Sequence, residues 1–122
     1  MCFSAMATLP AANIERAKKF YSEKLGMNPE SVEPDGSLRY ECGGTGFLVY
    51  QSQYAGTAKN TAVGFRTDNL EKDMRELRSK GVVFEEYDIP GLKTDHGVAT
   101  IGDFKGAWFK DSEGNIVALN EM

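Results

Sequence analysis

The sequence predicts an α+β fold built from two tandem modules, each a strand, a helix, a further strand and a closing hairpin. Three observations carry that prediction: two amphipathic helical stretches, two Gly-containing hairpin turns, and a register that repeats between the halves. The expected modules span about 1–52 and 60–122, and the small, polar stretch 53–59 links them.

The first strand is expected at Ser4–Leu9, ended by Pro10. Asn13 then opens a helix: Ile14, Ala17, Phe20, Tyr21 and Leu25 recur at spacings of three and four, and Gly26 supplies the stop. Leu38–Cys42 and Phe47–Gln51 flank Gly43-Gly44-Thr45-Gly46, a hairpin turn. The second half runs the same way. Thr61–Thr67 is a strand, and Asn69 caps a helix carrying Leu70, Met74 and Leu77, which Gly81 ends. Val82–Tyr87 is a further strand, and Ala107–Asp111 and Ile116–Asn120 flank the turn Ser112-Glu113-Gly114-Asn115. In register, Asn13-Ile14-Glu15 lines up with Asn69-Leu70-Glu71, and Arg39–Phe47 with Trp108–Ile116. The second half has an insertion over roughly Asp88 to Gly102, which reads either as a lid over a binding site or as a loop with one extra edge strand, Val98–Ile101.

Composition narrows the function. The 122 residues are 41% hydrophobic and 26% charged, with a formal net charge of −4. That mildly acidic balance argues against a nucleic-acid partner, which would call for a basic stripe. No apolar run reaches membrane-spanning length, and the start lacks the basic and apolar regions of a signal peptide, so a cytoplasmic location is expected. Cys2 and Cys42 show no metal or redox spacing and are expected as free thiols. There is a single histidine, His96, a scarcity that counts against a metal site.

The opening residues Thr8-Leu9-Pro10, Asn13-Ile14-Glu15-Arg16-Ala17, Phe20-Tyr21 and Leu25-Gly26, and the closing Trp108-Phe109-Lys110-Asp111-Ser112-Glu113-Gly114-Asn115, resemble the vicinal oxygen chelate superfamily of glyoxalases, bleomycin-resistance proteins and extradiol dioxygenases. The resemblance covers nearly the whole chain. It implies two βαβββ modules whose mixed sheets form a U-shaped cleft with the helices outside, and a homodimer. Its enzymes hold a divalent metal that binds two adjacent oxygens of the substrate and stabilises negative charge. Carried over by position, the first-strand ligands fall seven residues ahead of each capping Asn, on Met6 and Ala62; the last-strand ligands fall on Val49 and Ala118. None of these is a donor for Zn, Mg, Mn or Fe, since Met sulfur suits only softer ions. No metal and no cofactor is therefore expected.

Strand alternation then predicts what lines the cleft. Met6, Thr8, Phe47, Val49, Gln51, Gly64, Ala62, Arg66, Ile116, Ala118 and Asn120 are expected inside, with Arg39, Glu41, Trp108 and Lys110. Leu48, Tyr50, Val63, Phe65, Phe109 and Leu119 are expected under the helices. Trp108 and Phe47 could stack on a planar ligand, and Arg66, Arg39 or Lys110 could pair with an anionic group. His96 is either a general base at the cleft mouth or an exposed loop histidine; Tyr87, Asp88 and Tyr40 are further proton-transfer candidates.

Three functions follow as expectations. The first is a metal-free protein that binds or sequesters a small aromatic or anionic molecule. The second is a metal-independent isomerase or lyase using His96 or a carboxylate as base in the same cleft. The third is a metal-dependent lyase or dioxygenase with relocated ligands such as His96, Glu41 and Asp95.

Overall fold

A computed structural model describes Met1 and residues 3–122; Cys2, expected as a free thiol, lies outside the described residues. These residues form two helices and ten strands. The first module comprises β1 (Ala7–Ala11), α1 (Ile14–Leu25), β2 (Ser31–Val32), β3 (Leu38–Cys42) and β4 (Thr45–Gln51). The second comprises β5 (Thr61–Arg66), α2 (Leu70–Ser79), β6 (Asp88–Ile89), β7 (Leu92–Lys93), β8 (Ala99–Ile101), β9 (Phe104–Lys110) and β10 (Ile116–Glu121). Two four-stranded mixed sheets result, ordered β1-β4-β3-β2 and β5-β10-β9-β8, with β6 and β7 as a separate hairpin. In each module the first strand pairs in parallel with the last, and β1 lies against β5, so the two sheets form a cleft.

Both helices start where their sequence signals place them. The Asn13 side chain accepts from the Arg16 N–H at 3.0 Å, and Asn69 accepts from Lys72 N–H at 3.1 Å. Each such cap stabilises its helix by about 1 kcal/mol. A distant glutamate adds a second acceptor at each end: Glu113 takes the Asn13 N–H at 2.9 Å, and Glu121 takes the Leu70 N–H at 2.8 Å. Gly26, at φ 68°, closes α1 and donates to Ser22 O, while Met27 donates to Tyr21 O, a paired C-terminal closure.

Three elements differ from the sequence reading. The first strand runs on through Pro10 to Ala11; it pairs only with β4, so a residue without an N–H is tolerated. Val82–Tyr87 is not a strand: only Phe84 bridges β9, opposite Phe109, and the Glu85 N–H donates to Trp108 O. The insertion adds a hairpin, β6–β7, that the sequence reading lacked, beside the edge strand it did offer, present as β8.

The core lies between the sheets and the helices. Leu9, Ala17, Tyr21, Leu38, Tyr40, Phe47 and Val49 fill it under α1; Leu70, Met74, Leu77, Phe84, Phe109, Val117 and Leu119 fill it under α2. Phe20, Leu25, Val63 and Phe65 pack against both clusters, and the Phe47 and Phe65 rings meet edge-on at 5.7 Å. The β9–β10 turn joins the modules a second time. Asp111 accepts from Tyr21 Oη at 2.7 Å, from Asn115 Nδ2 at 2.9 Å, and from the N–H groups of Glu113 and Asn115. Arg16 forms an ion pair with Glu113 at 2.8 Å, and Asn115 Nδ2 also donates to Pro10 O. The closing sequence motif thus clamps the second hairpin onto α1.

Candidate functional site

The candidate site is the sheet face turned away from the helices. Register assigns its residues, because directly paired strand positions share a face. In the second module Ala118 pairs with Gly64 and Trp108, and Asn120 with Arg66 and Gly106. Val117, Leu119, Val63, Phe65 and Phe109 belong to the opposite, helix-side face. Ala62, Gly64, Arg66, Trp108, Lys110, Ile116, Ala118 and Asn120 therefore line the cleft side.

The first module corrects the sequence reading. Phe47 and Val49 are 3% and 1% exposed and lie in the helix-side core, and Gln51 pairs with buried Ala11 on that same face. Leu48 and Tyr50 take the cleft side instead, opposite Thr8 and Pro10, with Arg39 beside Leu48. The cause is the length of one turn. Glu41 pairs with Gly46 across Cys42-Gly43-Gly44-Thr45, whereas Lys110 pairs with Ile116 across Asp111-Ser112-Glu113-Gly114-Asn115, one residue longer. Aligning the hairpins end to end shifts β4 by one position, and a one-residue shift exchanges the faces. The structural counterpart of Ala118 is thus Leu48, not Val49.

The four positions at which the resemblance would place metal ligands, with Leu48 replacing Val49, hold Met6, Leu48, Ala62 and Ala118. This donor set does not fit a divalent metal, because it offers no carboxylate, imidazole or carbonyl side chain. Among the described residues, no group of three or more His, Cys, Asp or Glu side chains could hold a metal ion. The relocated set fares no better. His96 Nδ1 pairs with Asp95 Oδ1 at 2.8 Å, both side chains being at least nine-tenths exposed, while Glu41 lies on the cleft side of the other module.

Around the apolar positions stands an aromatic corner. The Tyr87 and Trp108 rings meet edge-to-face, with centroids 5.6 Å apart and planes at 82°. Tyr87 comes from the segment just ahead of the insertion, and burial acts to raise its hydroxyl pKa, with Glu85 adding to the effect. Asn120 lies between Gly64 and Gly106. A Cβ on either glycine would come within 3.1 Å of its amide, so the glycines make room for it. Asn120 Oδ1 is buried without a hydrogen-bond partner.

The expected cations are differently placed. Arg39 Nε pairs with Glu33 Oε1 at 2.9 Å, and Lys110 with Glu85 at 3.5 Å, so both are partly neutralised. Arg66 shares the face of Asn120 by register and, at the strand end, also borders a groove with Lys24 and Lys80 below the helix C-termini.

Of the proton-transfer candidates, Tyr87 stands at the aromatic corner beside Trp108, while His96 and Tyr40 separate from this face. His96 lies on the helix side, on the rim of a cavity along α2 with Arg78 and Met74, away from Trp108 and Ala118. Tyr40 is 1% exposed in the core, stacked on Phe47 at 4.7 Å, and burial pushes its hydroxyl up to about 12. Neither reaches the cleft. Sequence reasoning missed Leu48, Tyr50 and the Tyr87–Trp108 contact; the longer Asp-Ser-Glu-Gly-Asn turn was the available signal for the first two.

Residues 4–119 match the Glyoxalase/Bleomycin resistance protein/Dioxygenase superfamily. No curated protein matches the chain. Solved structures share its fold along nearly their full lengths. VPC_CASS1, from the mobile metagenome of V. Pseudocholerae, is 25% identical with a TM-score of 0.67, over 99% of this chain and 96% of that one. TnmS3, an antibiotic binding protein from Streptomyces sp. CB03234, is 23% identical with a TM-score of 0.69, over 99% and 98%. FosX, a genomically encoded fosfomycin resistance protein from Listeria monocytogenes, is 9% identical with a TM-score of 0.73, over 100% and 94%.

Proposed function

The chain belongs to the Glyoxalase/Bleomycin resistance protein/Dioxygenase superfamily, and on that premise we propose that it binds or sequesters a planar small molecule in its cleft without a metal. The observation that carries this reading is the apolar set Met6, Leu48, Ala62 and Ala118 at the family's ligand positions, beside the Tyr87–Trp108 corner. Apolar floors with an aromatic wall and few polar groups are how small-molecule sites are built. Trp108 offers a ring face for stacking, Tyr87 fixes its orientation from the edge, and Thr8 and Asn120 supply hydrogen bonds. Arg66 is the cleft-side cation available to an anionic substituent. The antibiotic binding named for TnmS3 supports the same class of role.

In this reading the protein works in the cytoplasm as a homodimer. Thr8, Arg39, Glu41, Ala62 and Arg66 are all exposed, so a second chain would close a face that one chain leaves open.

Because Trp108 is the single tryptophan, its fluorescence reports the site directly. Titration with planar aromatic antibiotics and metabolites is expected to give saturable quenching by at least one, unaffected by chelator. Stoichiometric divalent metal in protein purified without chelator, or no response across the panel, would refute the proposal.

A further inference from the structure

The insertion of the second module builds a cavity on the opposite side of the sheet. Its last turn is tied to α2 from several directions. Arg78 Nη2 donates to His96 O at 2.9 Å, and the Arg78 guanidinium lies over the Phe84 ring at 5.2 Å. Glu86 Oε1 accepts the Gly97 N–H at 2.6 Å and the Thr94 hydroxyl at 2.7 Å. Gly97 is packed so closely that a Cβ would come within 3.2 Å of Met74, Phe84 and Arg78, and its φ of 84° also favours glycine. His96 holds a positive φ of 51°, an uncommon conformation for a side-chain-bearing residue.

Between this turn, α2 and the β8–β9 edge lies a cavity of about 440 Å³, within the usual range for small-molecule sites. Leu70 and Met74, each 2% exposed, lie beneath the cavity; half-buried Val98 and the methylene stems of Arg78 and Lys105 give it apolar surface, and Arg78, His96 and Lys105 supply cationic or potentially cationic groups. Glu71 and Glu121 are the acidic lining residues. Glu121 Oε1 is already held by the Leu70 N–H, and Lys105, opposite Glu121 across the ladder, enters no ion pair among the described residues.

We propose that this cavity is a second small-molecule site, separate from the sheet cleft, for an amphipathic monocarboxylate whose head group meets Lys105 and whose apolar tail lies along Val98 and the methylene stem of Arg78. A single carboxylate suits the balance of charges, since a second would face Glu71 and Glu121. The apolar surface distinguishes the site from a plain surface anion patch. The inference does not rest on the cleft reading.

The test is a backbone-amide NMR titration of the full chain with octanoate, with acetate as the short-chain comparison. Octanoate is expected to give saturable shifts at Gly97, Val98, Thr100 and Lys105, with an affinity at least tenfold above acetate. Lys105→Glu is expected to weaken octanoate at least fivefold, and Thr100→Phe, which fills the cavity, to do likewise, while Trp108 fluorescence stays unchanged. Both positions are exposed, so the variants keep the fold. Shifts confined to Trp108 and Ala118, no saturable shifts, equal affinity for acetate, or insensitivity to both substitutions would overturn the proposal.

Discussion

The two hairpins that close the modules have the same strand pairing and different duties. Between β3 and β4 the chain turns through Gly43 and Gly44, both at positive φ. Between β9 and β10 it turns through Asp111-Ser112-Glu113-Gly114-Asn115, whose side chains reach across to Tyr21, Arg16 and Pro10 of the first module. The difference extends into the strands. Tyr40 occupies the position that Phe109 takes in the second module, Arg39 that of Trp108, and Leu48 that of Ala118. A duplicated fold has therefore divided its labour: one hairpin is a plain reversal, and the other is an inter-module clamp with the aromatic wall of the cleft on its first strand.

Breaking the clamp is expected to have the largest effect. Asp111→Ala removes the acceptor of four hydrogen bonds and strands the buried Tyr21 hydroxyl, so a loss of about 3 kcal/mol is expected in denaturant unfolding. Thr45→Ala in the plain hairpin is expected to cost less than about 0.5 kcal/mol. Equal costs at the two turns would break the comparison.

Acid titrates the same clamp. Burial acts to raise the Glu113 carboxyl, but hydrogen bonds from Arg16, the Asn13 N–H and Ser112, with the Arg16 charge, outweigh it and hold the carboxyl at about 2. A lowered carboxylate pKa stabilises the fold above the unfolded value near 4.5 and loses that contribution as pH falls toward 2. Because Arg16 is half exposed, about 2 kcal/mol is the expected size. Glu113→Gln is expected to flatten the acid limb of stability against pH, measured by thermal unfolding between pH 6 and pH 2; an unchanged limb would place the acid sensitivity elsewhere.

The cleft offers a smaller contrast. Trp108→Ala is expected to weaken a stacking ligand about tenfold, or about 1.4 kcal/mol, by calorimetry, whereas Arg39→Ala, whose charge is already spent on Glu33, is expected to change affinity less than about threefold. The reverse order would move the site into the first module.

The smallest effect is expected in the core. The Tyr40 hydroxyl is buried without a partner, so Tyr40→Phe, which copies Phe109, should stabilise the protein by about 1 kcal/mol. Destabilisation would mean that the hydroxyl has a partner in solution.

The residue pattern by itself determined the two helices with their asparagine caps, both hairpins, the order of the modules and the poverty of metal donors. Those features are local, set by spacing and by turn chemistry, and so they survive without tertiary information. The absence of donors also survives the shift from Val49 to Leu48, because both neighbours are apolar. Only the tertiary structure decided which face each β4 residue presents, since a single extra residue in a distant turn reverses the alternation without altering any local pattern. It alone placed Tyr87 against Trp108 and His96 along α2, because the path of an insertion depends on what it packs against. Ala118, Trp108 and Arg66 were legible by counting as residues of the face turned from the helices; Leu48 became visible only once β4 was paired with β1.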